Sequence, residues 1–149
     1  MAPLDLVFID VADELYEGEC QLRFLVLREP LGFSPADVAF PFEADSLHLL
    51  AIDTDRKVRG CVLFHPDGDG GGRLYQMAVD PKLQGRGVGR ALVLHMEAEL
   101  RERGTHRVDL HSRDVAVGFY ARLGYEPMGP EYEEVGIPHQ NMRKNLTAR

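Results

Sequence analysis

Residues 84–90 read Gln84-Gly85-Arg86-Gly87-Val88-Gly89-Arg90, with glycine at every second position. Glycine carries no Cβ, so such a backbone lets a ligand approach its amides closely. Ala91 to Arg103 then reads as a helix, with Val88, Ala91, Leu92, Met96 and Leu100 recurring at helical spacing as its core face. The first N–H groups of a helix have no intrahelical partner, and the helix dipole favours an anion beside them. The chemistry this predicts is phosphate binding. Arg86 and Arg90 add positive charge, although for Arg86 a solvated helix start is an equal alternative. Two familiar phosphate loops are excluded. No Lys-Ser or Lys-Thr follows the glycines, as a P-loop requires. The spacing is G-x-G-x-G rather than G-x-G-x-x-G, and it comes too late in the chain to open a dinucleotide-binding half.

The loop must be positioned by what precedes it. Leu74 to Val79 suits a buried strand, and Asp80-Pro81 ends it because proline has no N–H for a ladder. Upstream, Leu4 to Val11 alternates as a first strand, and Ala12 to Arg28 reads as a helix ended by Pro30. Leu31 to Asp45 is irregular. Its Phe33, Phe40 and Phe42 either plug the edge of the core or wall an acceptor pocket. Leu47 to Asp53 and Val58 to Pro66 form a hairpin about residues 53–57. Asp67 to Gly72 is a flexible connector; no glutamate completes it as a calcium loop, and no metal is expected. Downstream come a strand at Arg107 to His111, a helix Val115 to Leu123 capped by Asp114 and ended by Gly124, and a short strand near Tyr125 to Met128. A loop through Pro138 leads to a last strand around Asn141 to Leu146. The order is α/β with one mixed sheet.

Composition bounds the partners. The chain has 149 residues, enough for one domain with a real core. The formal net charge of -7 argues against nucleic acid, which needs a basic stripe, and modestly favours a cationic or amine acceptor. Cys20 and Cys61 have no metal-ligand spacing and read as buried thiols of a reducing compartment. With no basic, apolar leader and no run long enough to span a bilayer, a cytoplasmic location away from membranes is the expectation.

The segment from Leu74 to Leu94 resembles the GNAT acetyltransferase superfamily, whose signature [QR]-x-x-G-x-[GA] is met by Gln84, Gly87 and Gly89 behind a strand ending Ala78-Val79-Asp80-Pro81. A second, independent segment, Ala116-Val117-Gly118-Phe119-Tyr120-Ala121-Arg122-Leu123-Gly124-Tyr125, is similar to the family's A-x-x-F-Y-x-x-L-G-[FY]. Gly136 to Met142 resembles the tail of the ElaA-like branch. The resemblance implies a GNAT-like single mixed β-sheet flanked by helices over residues 1–149, with the fourth and fifth strands splaying apart after residue 79. It implies an acyl-CoA-dependent N-acyltransferase using acetyl-CoA and an amine acceptor, either a small molecule or a protein amine, by direct attack in a ternary complex. The competing class is a non-catalytic acyl-CoA-binding sensor. Any assembly expected is a homodimer. The cofactor-binding residues implied are Met77, Ala78, Val79, Gln84, Gly85, Arg86, Gly87, Val88, Gly89, Arg90 and Tyr120.

Two residues are expected to carry the chemistry. Tyr120 would donate to the sulfur of the departing thiolate: a phenol, of reference pKa about 10, stays protonated at neutral pH where a thiol of about 8.5 begins to ionise. The alternative for Tyr120 is an aromatic core residue. The base is less determined. Many family members place a glutamate on the central strand, where this chain has Tyr75 and Gln76, and many carry an asparagine where this chain has Arg113. Base candidates are Glu43, His48, His111, Glu133, Glu134 and His139. His139 leads through its place in the ElaA-like tail, against the alternative that it satisfies a loop backbone.

Overall fold

The computed structural model describes residues 3–32 and 40–146. Its strands are β1 (Asp5–Ile9), β2 (Leu47–Ile52), β3 (Val58–Pro66), β4 (Gly71–Val79), β5 (Arg107–Arg113), β6 (Glu126–Pro127), β7 (Tyr132–Glu134) and β8 (Ile137–Asn145). Its α-helices are α1 (Tyr16–Arg23), α2 (Val88–Glu102) and α3 (Val117–Arg122). The strands form one mixed sheet in the order β1-β2-β3-β4-β5-β8-β6, with β7 on β8. Among the described residues only β4 and β5 pair in parallel; α2 makes the crossover between them.

Successive residues of a strand point to opposite faces, and the apolar runs of β2 and β3 serve both. Leu49, Ala51, Val62 and Phe64 face α2 and α3, joining Leu92, Met96 and Leu100 of α2, Leu110 of β5 and Met142 of β8. Leu50, Ile52 and Cys61 face α1 and join Leu22, Val58 and Ala78. Each fully buried leucine such as Leu92 contributes about 1.5–3 kcal/mol of transfer free energy.

Several boundaries differ from expectation. The helix expected from Ala12 begins only at Tyr16, because the carboxylates of Asp10 and Asp13 accept from the N–H groups of Ala12 and Leu15 and hold that stretch in turns. It widens to a π-helical turn at Phe24–Arg28 and tightens to a 3₁₀ turn at Glu29–Leu31 before left-handed Gly32. In the irregular stretch a 3₁₀ turn, Glu43–Asp45, is present; Phe33 lies outside the described residues. β4 takes in Gly71 and Gly72, which read as flexible connector. At Gly72 an added Cβ would lie 2.3 Å from the His65 carbonyl oxygen, so the glycine permits close strand approach. α2 starts at Val88, three residues early, with the glycine loop as its entry. Asp114 does not cap α3 through its side chain; it lies in a 3₁₀ turn, Asp114–Ala116. The segment expected as loop before Pro138 contains β7, joined to β8 by a tight turn with Val135 at φ 49° and Gly136 at φ 76°.

Candidate active site

β4 and β5 are in register only over Gly71–Leu74 and Arg107–Leu110. The two strands therefore part after Leu74, well before the residue-79 position implied by resemblance. The cause sits on the other side of β4. Cys61 pairs with Ala78 and Leu63 with Tyr75, so Gln76 and Met77 together oppose Val62. This bulge puts Gln76 at φ 52° and turns the strand. The Cys61 thiol donates to the Gln76 carbonyl at 3.3 Å. From Tyr75 to Val79, β4 has no ladder partner on its β5 side. The side chains of Met77 and Val79 pack against the α2-side core and Ala78 against the α1 side, leaving their backbone to line the opening.

At the end of that edge lies the glycine loop. Gly85 (φ 79°) and Gly87 (φ 85°) are left-handed, a conformation that costs other residues more. Nothing lies within 4 Å of a Cβ built on either, so their faces are open. Gly87 is the N-cap of α2, with no side-chain cap and no acidic residue in the first turn. The first amides of α2 thus remain available to an anion. Val88 is buried and anchors the helix, so it can meet a ligand only through backbone; Gln84, Arg86 and Arg90 are exposed. The Gln84 amide donates to the Val79 carbonyl at 3.0 Å, fixing the loop to the strand. Gly89 lies within the helix, and a Cβ there would be 3.4 Å from Phe119.

Tyr120, on α3, packs edge-on against Phe119 and Tyr125. It is buried, and among the described residues its hydroxyl has no hydrogen-bond partner, unlike that of Tyr125, which donates to Glu97 at 2.8 Å. Burial pushes the Tyr120 phenol up to about 12, so it is protonated at neutral pH.

The α1 face of the parted sheet carries the other candidates. Register places Arg113 beside His139, His139 beside Tyr132, and His111 beside Asn141. Glu134 lies between two imidazoles, 3.5 Å from His111 Nδ1 and 3.6 Å from His139 Nε2. His139 is buried and its Nδ1 donates at 2.8 Å to the carbonyl of Ile137, the first residue of β8. That bond leaves Nε2 of the neutral ring as the acceptor. Burial and the nearby charge of Arg73 hold His111 below the ordinary imidazole range, against the opposing pull of Glu134. Glu133 alternates with Tyr132 and Glu134, and so points to the opposite side.

Glu43 and His48 are consumed elsewhere. Arg23 bonds Glu19 and Glu43 at 2.7 Å each, Tyr16 donates to Glu43 at 2.6 Å, and His48 Nδ1 meets Glu19 at 2.8 Å. His48 Nε2 lies 2.8 Å from the Glu43 carbonyl. Both ring nitrogens face acceptors, so both carry protons: burial opposes the charge, but the Glu19 bond outweighs it and raises the pKa. Glu19, Glu43 and His48 offer ligand atoms within 4.8 Å of one another, but the Arg23 guanidinium already supplies the cation. This cluster was not evident in the sequence, and it has a positional result. Glu43 accepts from the Phe40 N–H at 2.6 Å, holding the aromatic wall. Phe40 and Phe42 stack at 5.5 Å and both pack on Tyr75, whose hydroxyl bonds Ser46 at 2.7 Å. Phe40 and Phe42 therefore close over Tyr75 at the edge of the core.

A mixed sheet parted beside an uncapped, glycine-entered helix defines the acyl-CoA N-acyltransferase class of fold. The profile of the "Acetyltransferase (GNAT) domain" matches residues 34–146, and the chain belongs to that family. YyaT of Bacillus subtilis (strain 168) is 38% identical over 61 residues, a match spanning 41% of each chain. Among solved structures, one from Lactobacillus plantarum superposes with a TM-score of 0.86 at 24% identity, covering 97% of this chain and 99% of that one. An aminoglycoside 6'-N-acetyltransferase complexed with coenzyme A gives 0.81 at 19% identity, covering 97% and 98%. Escherichia coli ElaA gives 0.76 at 20% identity, covering 95% and 99%. At these identities the structures establish the fold. Among the described residues no helix is long and apolar enough to cross a membrane.

Proposed function

We propose that residues 1–149 form a single acetyltransferase domain that moves an acetyl group from acetyl-CoA to an amine by direct attack in a ternary complex. The observation that carries this reading is the edge of β4 from Tyr75 to Val79, released from β5 and leading into uncapped amides at the start of α2. An extended pantetheine arm suits the strand edge, and a pyrophosphate suits the amides. The neighbour solved with coenzyme A has the same fold.

In this reading the amine nitrogen attacks the thioester carbonyl carbon. The C–N bond forms, the C–S bond breaks, and one proton moves in net from nitrogen to sulfur. His139 Nε2 takes the amine proton, and Glu134 stabilises the charge that appears on the ring. Tyr120 donates a hydrogen bond to sulfur as negative charge develops there. An N–H of the bulged strand polarises the carbonyl. The action is cytoplasmic, where the free thiols of Cys20 and Cys61 stay reduced.

The absence of a carboxylate at Tyr75 and Gln76 favours a second reading, a sensor that binds acyl-CoA without turnover. Thiol release from acetyl-CoA across an amine library separates the two. Amine-dependent release supports the transferase; tight binding with no release supports the sensor; no binding removes both.

A further inference from the structure

The α1 face of the sheet holds a cation that forms no direct ion pair among the described residues. Arg73 of β4 is exposed, and among the described residues it makes no ion pair or hydrogen bond. It shares the face of Tyr75, two residues on, and its register neighbours are His65 on β3 and Asp109 on β5. The carboxylates within reach are already shared. Asp109 accepts from Arg143 at 2.6 Å and from Arg107 at 3.0 Å. Glu134 stands between His111 and His139. Arg113, in the row of His139, bonds only the Leu27 carbonyl among the described residues, at 3.3 Å. Arg73 thus keeps its guanidinium N–H groups unbonded beside carboxylates that other cations already engage.

We propose that the acceptor is a zwitterion, an amine that carries a carboxylate a few bonds away, and that Arg73 is its specificity-determining residue. This rests on the transferase reading of the same cleft. The planar guanidinium matches a carboxylate through two parallel N–H···O bonds. Strand rise puts Arg73 about 10 Å from the bulge at Gln76, and its long side chain spans part of that distance. An amino acid or a short peptide fits the remainder. Phe42, whose ring lies 4.7 Å from that of His65, the β3 neighbour of Arg73, suits an apolar side chain on that acceptor.

The test uses the full chain with phenylalanine and phenylalaninamide, which differ in the carboxylate, followed by a panel of the common amino acids. Thiol release is measured, and separately calorimetric binding of each compound to protein saturated with CoA. The carboxylated compounds are expected to bind and react at least tenfold better than their amides. Arg73→Gln is expected to raise KM and Kd for them roughly tenfold or more, leaving the amides and acetyl-CoA unchanged; Arg73→Lys should restore part of the loss. Since Arg73 is exposed and unbonded, neither substitution should alter Tm. Arg73-dependent binding without thiol release would uphold the zwitterion site and overturn the transferase reading. Equal use of acid and amide, equal loss of both in Arg73→Gln, or no binding by any amino acid overturns the proposal.

Discussion

The side-chain amide of Gln84 reaches back to the carbonyl oxygen of Val79, 3.0 Å away, and closes the glycine loop onto the strand before it. Gln84 therefore acts as a brace for the cradle. Gln84→Ala removes one exposed hydrogen bond, about 0.5 kcal/mol at the low end of such contributions. The expected result is a two- to tenfold weaker Kd for acetyl-CoA by calorimetry, with little change in Tm. An unchanged Kd would mean that the glycines alone set the loop.

Gly89→Glu separates stability from binding. Gly89 has ordinary helical geometry, and its nearest Cβ neighbour is the Phe119 ring at 3.4 Å, so a side chain fits with slight adjustment. A carboxylate in the first turn complements the helix dipole, and Tm should hold or rise. The same charge opposes a pyrophosphate, so acetyl-CoA binding should be lost. Retained binding would remove the pyrophosphate from this helix end.

Tyr120→Phe keeps the ring contacts with Phe119 and Tyr125 and deletes a hydroxyl that bonds nothing among the described residues. kcat should fall roughly ten- to a thousandfold, the lower reach of general-acid effects, with Tm and acetyl-CoA affinity nearly constant. Surviving turnover with lowered Tm would make Tyr120 a core residue only.

His139→Ala should abolish the acidic limb of the kcat/KM profile, because the lone pair of its neutral ring is on Nε2 while Nδ1 serves Ile137. His111→Ala is the control. Its folded pKa is held below the ordinary value by burial and Arg73, so a limb governed by His111 would sit at lower pH and persist in His139→Ala. That outcome transfers the base role to His111.

The buried cluster sets a pH window for stability. Burial opposes ionisation of Glu43, but Arg23, Tyr16 and the Phe40 N–H outweigh it and lower its pKa. Its contribution is present above the unfolded value and lost as pH falls through the depressed one. The pKa of His48 is raised, so its contribution is full below about 6.5 and lost as pH climbs through the folded value. Thermal melts should show Tm declining on both sides, and His48→Gln should flatten the alkaline decline. A wild-type slope in that variant would deny the imidazolium.

What could be read from the chain was local. The strand, glycine loop and helix of residues 74–102 follow from composition over short spans, and the hairpin at 53–57 from its aspartates. What could not be read depended on distance or on exceptions to propensity. β7 is hidden because Tyr132-Glu133-Glu134 looks like solvated loop and its turn forces Val135 to positive φ. The bulge at Gln76 has no turn residue to mark it. Glu19 and Arg23 are an i,i+4 pair on the first helix, but nothing local joins them to Glu43 and His48, which read only as candidate bases until the fold brings the four together. The same holds for Glu134 between His111 and His139, which requires the β7–β8 pairing.

The sheet separates two interiors of different character. Behind it, toward α2, a larger apolar core supports the strand edge and the glycine loop and encloses Glu97, which Lys144 and Tyr125 satisfy. In front, toward α1, a smaller apolar cluster is joined to a charge network. Apolar packing tolerates change of pH and salt, whereas ion pairs respond to pH even when burial screens them from salt. Alkali, which removes the His48 proton, should therefore loosen the segment of Phe40 and Phe42 before it affects the α2 side. Amide exchange across a pH series would then find two cooperative units in this chain, divided along the plane of its own sheet.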